Sequence, residues 1–273
     1  MSWGTQVLRL MALILAGYVA VCLLLFLRQR QMLYHPGRVS EGDMLASARA
    51  AGLLRWLDAN GAPIGWMTAD GSISPPILIL QGNAGNALNR AGLVARLRRS
   101  GIKARFFILD YPGYGSRAGS PSQASLTEAA VSALDALPAP AVLLGESLGT
   151  GVAAQAAARR PDRVSGLILV TPFDSMARAA AHHYPWLPVG WLLLDRFDSV
   201  DAFKNFSKPI AVIVAELDET VPAARGRRLV ESLHVPKKLW VVRYAGHNDA
   251  TDILSDQAWR DVWHFVVSSK QAG

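Results

Sequence analysis

The chain has 273 residues, 51% of them hydrophobic and 18% charged, with a formal net charge of +7. That length suits one α/β-sized domain plus a short appendage, and the single cysteine, Cys22, excludes an intramolecular disulfide or a cysteine-rich metal site. The positive balance favours anionic partners. However, Arg98, Arg99, Lys103, Arg225, Arg227, Arg228, Lys237 and Lys238 lie between apolar periodic segments. They read as solvated helix faces and loop ends, with acidic lipid headgroups as the next reading and no nucleic-acid partner expected.

Residues 10–27 carry no charge. A helix of that length reaches roughly 27 Å, close to the hydrocarbon thickness of about 30 Å. A cleaved signal peptide has a shorter apolar core of about 7–15 residues followed by small residues at the cut, whereas this run ends in Arg28-Gln29-Arg30-Gln31. The expectation is a single-pass anchor within residues 1–33, followed by a folded domain over 34–273. Arg28, Arg30 and Arg38 outweigh Arg9 across the run, which places that domain on the cytoplasmic side. The segment carries no candidate for chemistry, so a chain beginning near Tyr34 is expected to fold and function by itself.

Beyond the linker Tyr34-His35-Pro36-Gly37, the turn pair Asn60-Gly61 sits between two apolar stretches and predicts a β-hairpin. Short apolar strands are predicted at 77–80, 105–109, 142–144, 167–170, 210–214 and 239–242. Helical patterns alternate with them at 88–99, 126–137, 148–159, 225–233 and 257–267. Largely uncharged strands alternating with helices argue for a mostly parallel central sheet covered on both faces, with ligands at the carboxyl ends of its strands.

The segment Gly145-Glu146-Ser147-Leu148-Gly149 follows one of these strands and opens a helix. A sharp strand-to-helix turn lifts a serine oxygen clear of a sheet, and flanking glycines avoid collisions in that turn. Ser147 is therefore the candidate nucleophile. A serine hydroxyl needs an adjacent base. His247, in Ala245-Gly246-His247-Asn248-Asp249, lies directly after the last strand, where a base belongs. The remaining histidines, His35, His182, His183, His234 and His264, fall in a linker, in helices or at a helix end. Asp218 follows the preceding strand and completes the chain order Ser, Asp, His, with Glu216 and Glu219 as close rivals.

After the first long strand comes Gln81-Gly82-Asn83-Ala84-Gly85-Asn86, a loop in the position that supplies an oxyanion N–H. This loop resembles the BEM46-like branch of the α/β-hydrolases, the ABHD12-, ABHD13- and ABHD17-type serine hydrolases. So do Asp110-Tyr111-Pro112-Gly113-Tyr114-Gly115, the segment around Ser147, Asp218-Glu219-Thr220-Val221-Pro222 and Gly246-His247-Asn248-Asp249. The resemblance covers nearly all of the chain beyond Leu33. It implies an α/β-hydrolase fold, an esterase, lipase or thioesterase activity on acyl substrates without metal or other cofactor, and backbone oxyanion donors at Asn83 and Leu148. One departure is Gln81, where the family usually has histidine. Residues 173–206, rich in tryptophan and leucine, read as a cap-like insertion able to receive an acyl chain beside the bilayer. A peptidase of the same fold and a non-catalytic binding protein that kept it are the alternatives.

Overall fold

The computed structural model describes residues 3–70 and 72–268. Eight strands, β1 (Leu53–Leu57), β2 (Pro63–Thr68), β3 (Ser72–Leu80), β4 (Ala104–Leu109), β5 (Ala141–Glu146), β6 (Val164–Val170), β7 (Ile210–Ala215) and β8 (Lys237–Val242), form one sheet. Its order is β8-β7-β6-β5-β3-β4-β2-β1. All neighbours are parallel except at β2, which runs antiparallel to both β1 and β4. The turn pair Asn60-Gly61 does join the antiparallel hairpin β1–β2, with Gly61 at φ +79°.

The helices are α1 (Trp3–Leu33), α2 (Glu41–Ala50), α3 (Ala91–Arg99), α4 (Gln123–Ala136), α5 (Leu148–Arg159), α6 (Met176–His183), α7 (Val189–Leu192), α8 (Ser199–Ala202), α9 (Ala223–Ser232), α10 (Ala250–Ile253) and α11 (Asp256–Ser268). Strand periodicity explains how they share the sheet. Along β3, Leu78 and Leu80 pack with Leu126 and Leu134 of α4, Val152 of α5 and Leu229 of α9. Ile77 and Ile79 point the other way, into a second core with Met44 of α2, Leu97 of α3 and Trp259 of α11. Both faces are covered over 77–80, so both sets of alternating positions there must be apolar and this stretch reads as an unbroken apolar run. This is the α/β-hydrolase arrangement.

Several elements differ from the sequence reading, two of them for a clear physical reason. The helical pattern at 88–99 divides into a 3₁₀ turn, Ala87–Arg90, and α3. Asn86 caps the turn by accepting from the Leu88 N–H. The unforeseen α2 buries Met44 and Ala48, with Leu45 packed half-buried beside them, too few apolar positions to register as a sustained periodic signal.

Helix α1 is longer than the apolar run that marks it, and it is long and apolar enough to cross a membrane. It is not detached from the rest. Cys22, Leu25, Phe26, Gln29 and Leu33 are its buried or half-buried positions, spaced three and four apart on one face. That face meets the insertion between β6 and β7. Tyr18 donates to the Trp186 carbonyl at 2.9 Å, and Gln29 donates to the Leu192 carbonyl and accepts from the Leu194 N–H at 2.8 Å. Arg30 pairs with the buried Asp195 at 3.0 Å. Below the helix, His35 and Pro36 pair in parallel with Ala84 and Gly85 of the loop after β3.

Candidate active site

The site is built at the carboxyl ends of β5, β7 and β8. Between β5 and α5 the backbone reverses at Ser147, whose φ of +50° lies in the region that non-glycine residues avoid. The turn has no room for side chains on either side. A Cβ at Gly145 would sit 2.5 Å from the Gly149 carbonyl oxygen, and one at Gly149 would sit 2.0 Å from that of Leu80. The strained serine is held from below, its N–H donating to the Val170 carbonyl at 2.9 Å, and its carbonyl accepts from Thr150. Such strain persists only where surrounding structure over-determines it.

His247 stands on the loop between β8 and α10. Its Nε2 lies 2.9 Å from Ser147 Oγ, and its Nδ1 lies 2.7 Å from Asp218 Oδ2. Asp218, on the loop after β7, is buried. Its other oxygen accepts from the backbone N–H groups of Thr220 and Val221 at 2.9 and 2.7 Å. The three hydrogen bonds fix the carboxylate's plane and satisfy a charge that would otherwise be costly to bury. Glu216 and Glu219 are exposed, and Glu216 accepts from the Tyr244 N–H instead.

The loop after β3 passes directly beside the serine. A Cβ added at Gly82 would lie 3.6 Å from Ser147 Cβ. Asn83 is fastened on three sides. Its carbonyl accepts from the His35 N–H at 2.9 Å and the Tyr114 hydroxyl at 2.7 Å, and its side chain donates to the Leu33 carbonyl at 3.0 Å. Leu148 opens α5, so its N–H is among the first-turn donors that a helix leaves without an intrahelical partner. Gln81 is buried, and its carbonyl accepts from Tyr111.

Gly82, Asn83, Arg90, Glu146, Ser147, Thr171 and His247 line a cavity of about 260 Å³. Two of these, Arg90 and Glu146, form an ion pair that the sequence reading did not anticipate. Burial raises the Glu146 carboxyl above its ordinary range, and Arg90 opposes the rise. No local signal joins these residues, because Arg90 ends the turn after β3 while Glu146 belongs to the elbow.

Fold and site together define an α/β-hydrolase. A family model described as the alpha/beta hydrolase fold matches residues 75–204. The chain is 35% identical to the uncharacterized protein Rv2307c of Mycobacterium tuberculosis, over 89% of this chain and 88% of that one. It is 33% identical to the lysophosphatidylserine lipase ABHD12 of Xenopus tropicalis, over 64% of this chain and 51% of that protein, so the match spans about half of ABHD12. A solved monoacylglycerol lipase from Paleococcus ferrophilus shares the fold, with a TM-score of 0.55 and 18% identity over 79% of this chain and 98% of that one. The chain belongs to the BEM46-like family of α/β-hydrolases.

Proposed function

We propose that this protein is a membrane-anchored serine hydrolase that cleaves carboxylic esters or thioesters of acyl lipids. The observation that carries the reading is the chain of contacts from Asp218 through His247 to Ser147 Oγ, at 2.7 and 2.9 Å. Asp218 orients the imidazole with Nδ1–H toward the carboxylate, leaving Nε2 to accept the serine proton. Ser147 Oγ attacks the carbonyl carbon as its proton passes to His247. The oxyanion is met by the N–H groups of Asn83 and Leu148, at the positive end of α5. Collapse expels the alcohol or thiol, which takes the proton from His247. Water, deprotonated by the same imidazole, then attacks the acyl-enzyme and releases the acid while Ser147 regains its proton.

Support for an acyl substrate comes from the lipase named among the relatives. Support for the membrane comes from α1, an apolar helix of 31 residues. Labelling with a fluorophosphonate, together with hydrolysis of a panel of acyl esters and thioesters, tests the assignment. Wild type is expected to be labelled and active. Ser147→Ala is expected to lose both while unfolding at nearly the same temperature. Label that persists on Ser147→Ala places the nucleophile elsewhere.

A further inference from the structure

A second cavity, of about 160 Å³, lies between α1 and the insertion, and its lining is almost wholly apolar. Leu25, Phe26 and Met32 form one wall, and Met176, Ala180 and Leu187 the other. The amide of Gln29, which also borders it, is already engaged by Leu192 and Leu194. An apolar void of roughly this size, about 150 Å³, stays dry and takes up an apolar guest.

Both ends of the cavity are informative. One end is linked to the site around Ser147 by a single hydrogen bond. Leu33 borders the cavity and accepts from the Asn83 side chain, and Asn83 lines the Ser147 cavity. Met176, on the opposite wall, follows closely after Thr171, which lines the Ser147 cavity too. The other end lies along the apolar part of α1. The insertion touches the helix as far up as Tyr18. The portion before Tyr18 reaches roughly 22 Å, short of the hydrocarbon thickness of about 30 Å. If α1 spans a bilayer, the rim of the insertion is submerged with it. Trp186, Trp191 and Leu194 are exposed large apolar residues of the insertion and tolerate this position.

We infer that this groove is the acyl-chain site and that it opens sideways into the bilayer, with the spanning helix as one of its walls. A lipid then brings its tail in laterally between α1 and the insertion, and its ester comes to rest at Ser147 without the tail crossing water. The inference rests on the reading of Ser147 and α1 given above. It goes beyond tethering, because the anchor becomes part of the substrate site.

The test uses the full chain in phosphatidylcholine vesicles. A hexadecanoyl ester carrying a diazirine in mid-chain is photolysed with wild type and with Ser147→Ala, and the crosslinked peptides are mapped. In parallel, kcat/KM for p-nitrophenyl hexadecanoate relative to p-nitrophenyl acetate is measured for wild type, Ala180→Trp and Met32→Trp. Crosslinks are expected within residues 25–33 and 176–193. The long-to-short ratio should fall by at least about tenfold in both variants, since each buried methylene contributes roughly fourfold. Crosslinks confined to other segments, or an unchanged ratio in both variants, overturn the inference. The crosslinking needs no variant that alters the groove, so it decides the matter even if a tryptophan prevents folding. Tail crosslinks in the groove of a protein that fluorophosphonate does not label would remove the nucleophile assignment and keep the groove. Labelling without groove crosslinks would do the reverse.

Discussion

The side chain of Asn83 donates a hydrogen bond to the carbonyl of Leu33, the last residue of α1, at 3.0 Å. One residue thus joins the membrane-type helix to the loop that borders Ser147. With the Arg30–Asp195 pair and the Gln29 contacts, it packs α1 against the loop and the insertion.

The first prediction follows from that junction. A chain beginning at Tyr34, expected from sequence to be self-sufficient, should be less stable and prone to aggregate. Truncation uncovers the apolar side of the insertion that Leu25, Phe26 and Met32 now cover, a loss on the order of several kcal/mol. Arg30→Ala alone should cost only about 1 kcal/mol, because the guanidinium is half exposed and the buried Asp195 keeps the Gln123 N–H. Thermal unfolding and size-exclusion of the two proteins in detergent check this. A soluble truncated chain with wild-type stability would show the junction to be weak.

The second concerns the acid. Asp218→Asn should lower kcat by about four orders of magnitude, the scale seen for the equivalent change in a serine protease. Glu216→Gln and Glu219→Gln, both on the exposed side of the loop, should change it little. A crippled Glu216→Gln would reassign the carboxylate.

The third separates two glycine positions. Gly149→Ala should destabilise by about 3 kcal/mol or more, since its Cβ would meet the Leu80 carbonyl at 2.0 Å and backbone cannot move aside cheaply. Gly92→Ala, on α3 with nothing within 4 Å, should be neutral or stabilise by about 0.5 kcal/mol through helix propensity. Paired unfolding curves distinguish them, and equal effects would refute the steric account of the elbow.

The fourth is a pH dependence. Burial pushes the Asp110 carboxyl up to about 6, against the pull of Arg55 and Arg117. In the unfolded chain it titrates near 4. Between about pH 4 and 6 the folded form holds a proton that the unfolded form has released, so stability falls as pH rises through that window and levels off above it. The stability difference between wild type and Asp110→Asn should decline across the window by on the order of 2 kcal/mol. A difference that stays constant from about pH 4 to 7 would contradict the raised carboxyl.

Much of the fold is legible in the chain because its signals are local. Strands covered on both faces are apolar on both sets of alternating positions, so β3 to β7 each contain a short uncharged run. The hairpin at Asn60-Gly61 follows from a turn that needs positive φ at Gly61. The elbow at Ser147 shows as a pattern of five consecutive residues, although part of the crowding that demands Gly149 comes from the Leu80 carbonyl. The charge-free stretch in α1 is equally local. Helix α2 leaves little signal, because its few core contacts, Met44, Leu45 and Ala48, make no sustained period.

The tertiary structure alone decided matters that join distant residues. Glu216, Asp218 and Glu219 share one loop and similar chemistry. Only the course of that loop, pinned where the Thr220 and Val221 N–H groups meet Asp218, buries one carboxylate against His247 and leaves the others in solvent. The Arg90–Glu146 pair and the groove between α1 and the insertion are invisible in sequence for the same reason. A periodic pattern states which face of a segment is apolar, but not which segment will cover it. That choice is made when elements more than a hundred residues apart, such as Arg30 and Asp195, pack together and exclude water from the space between them.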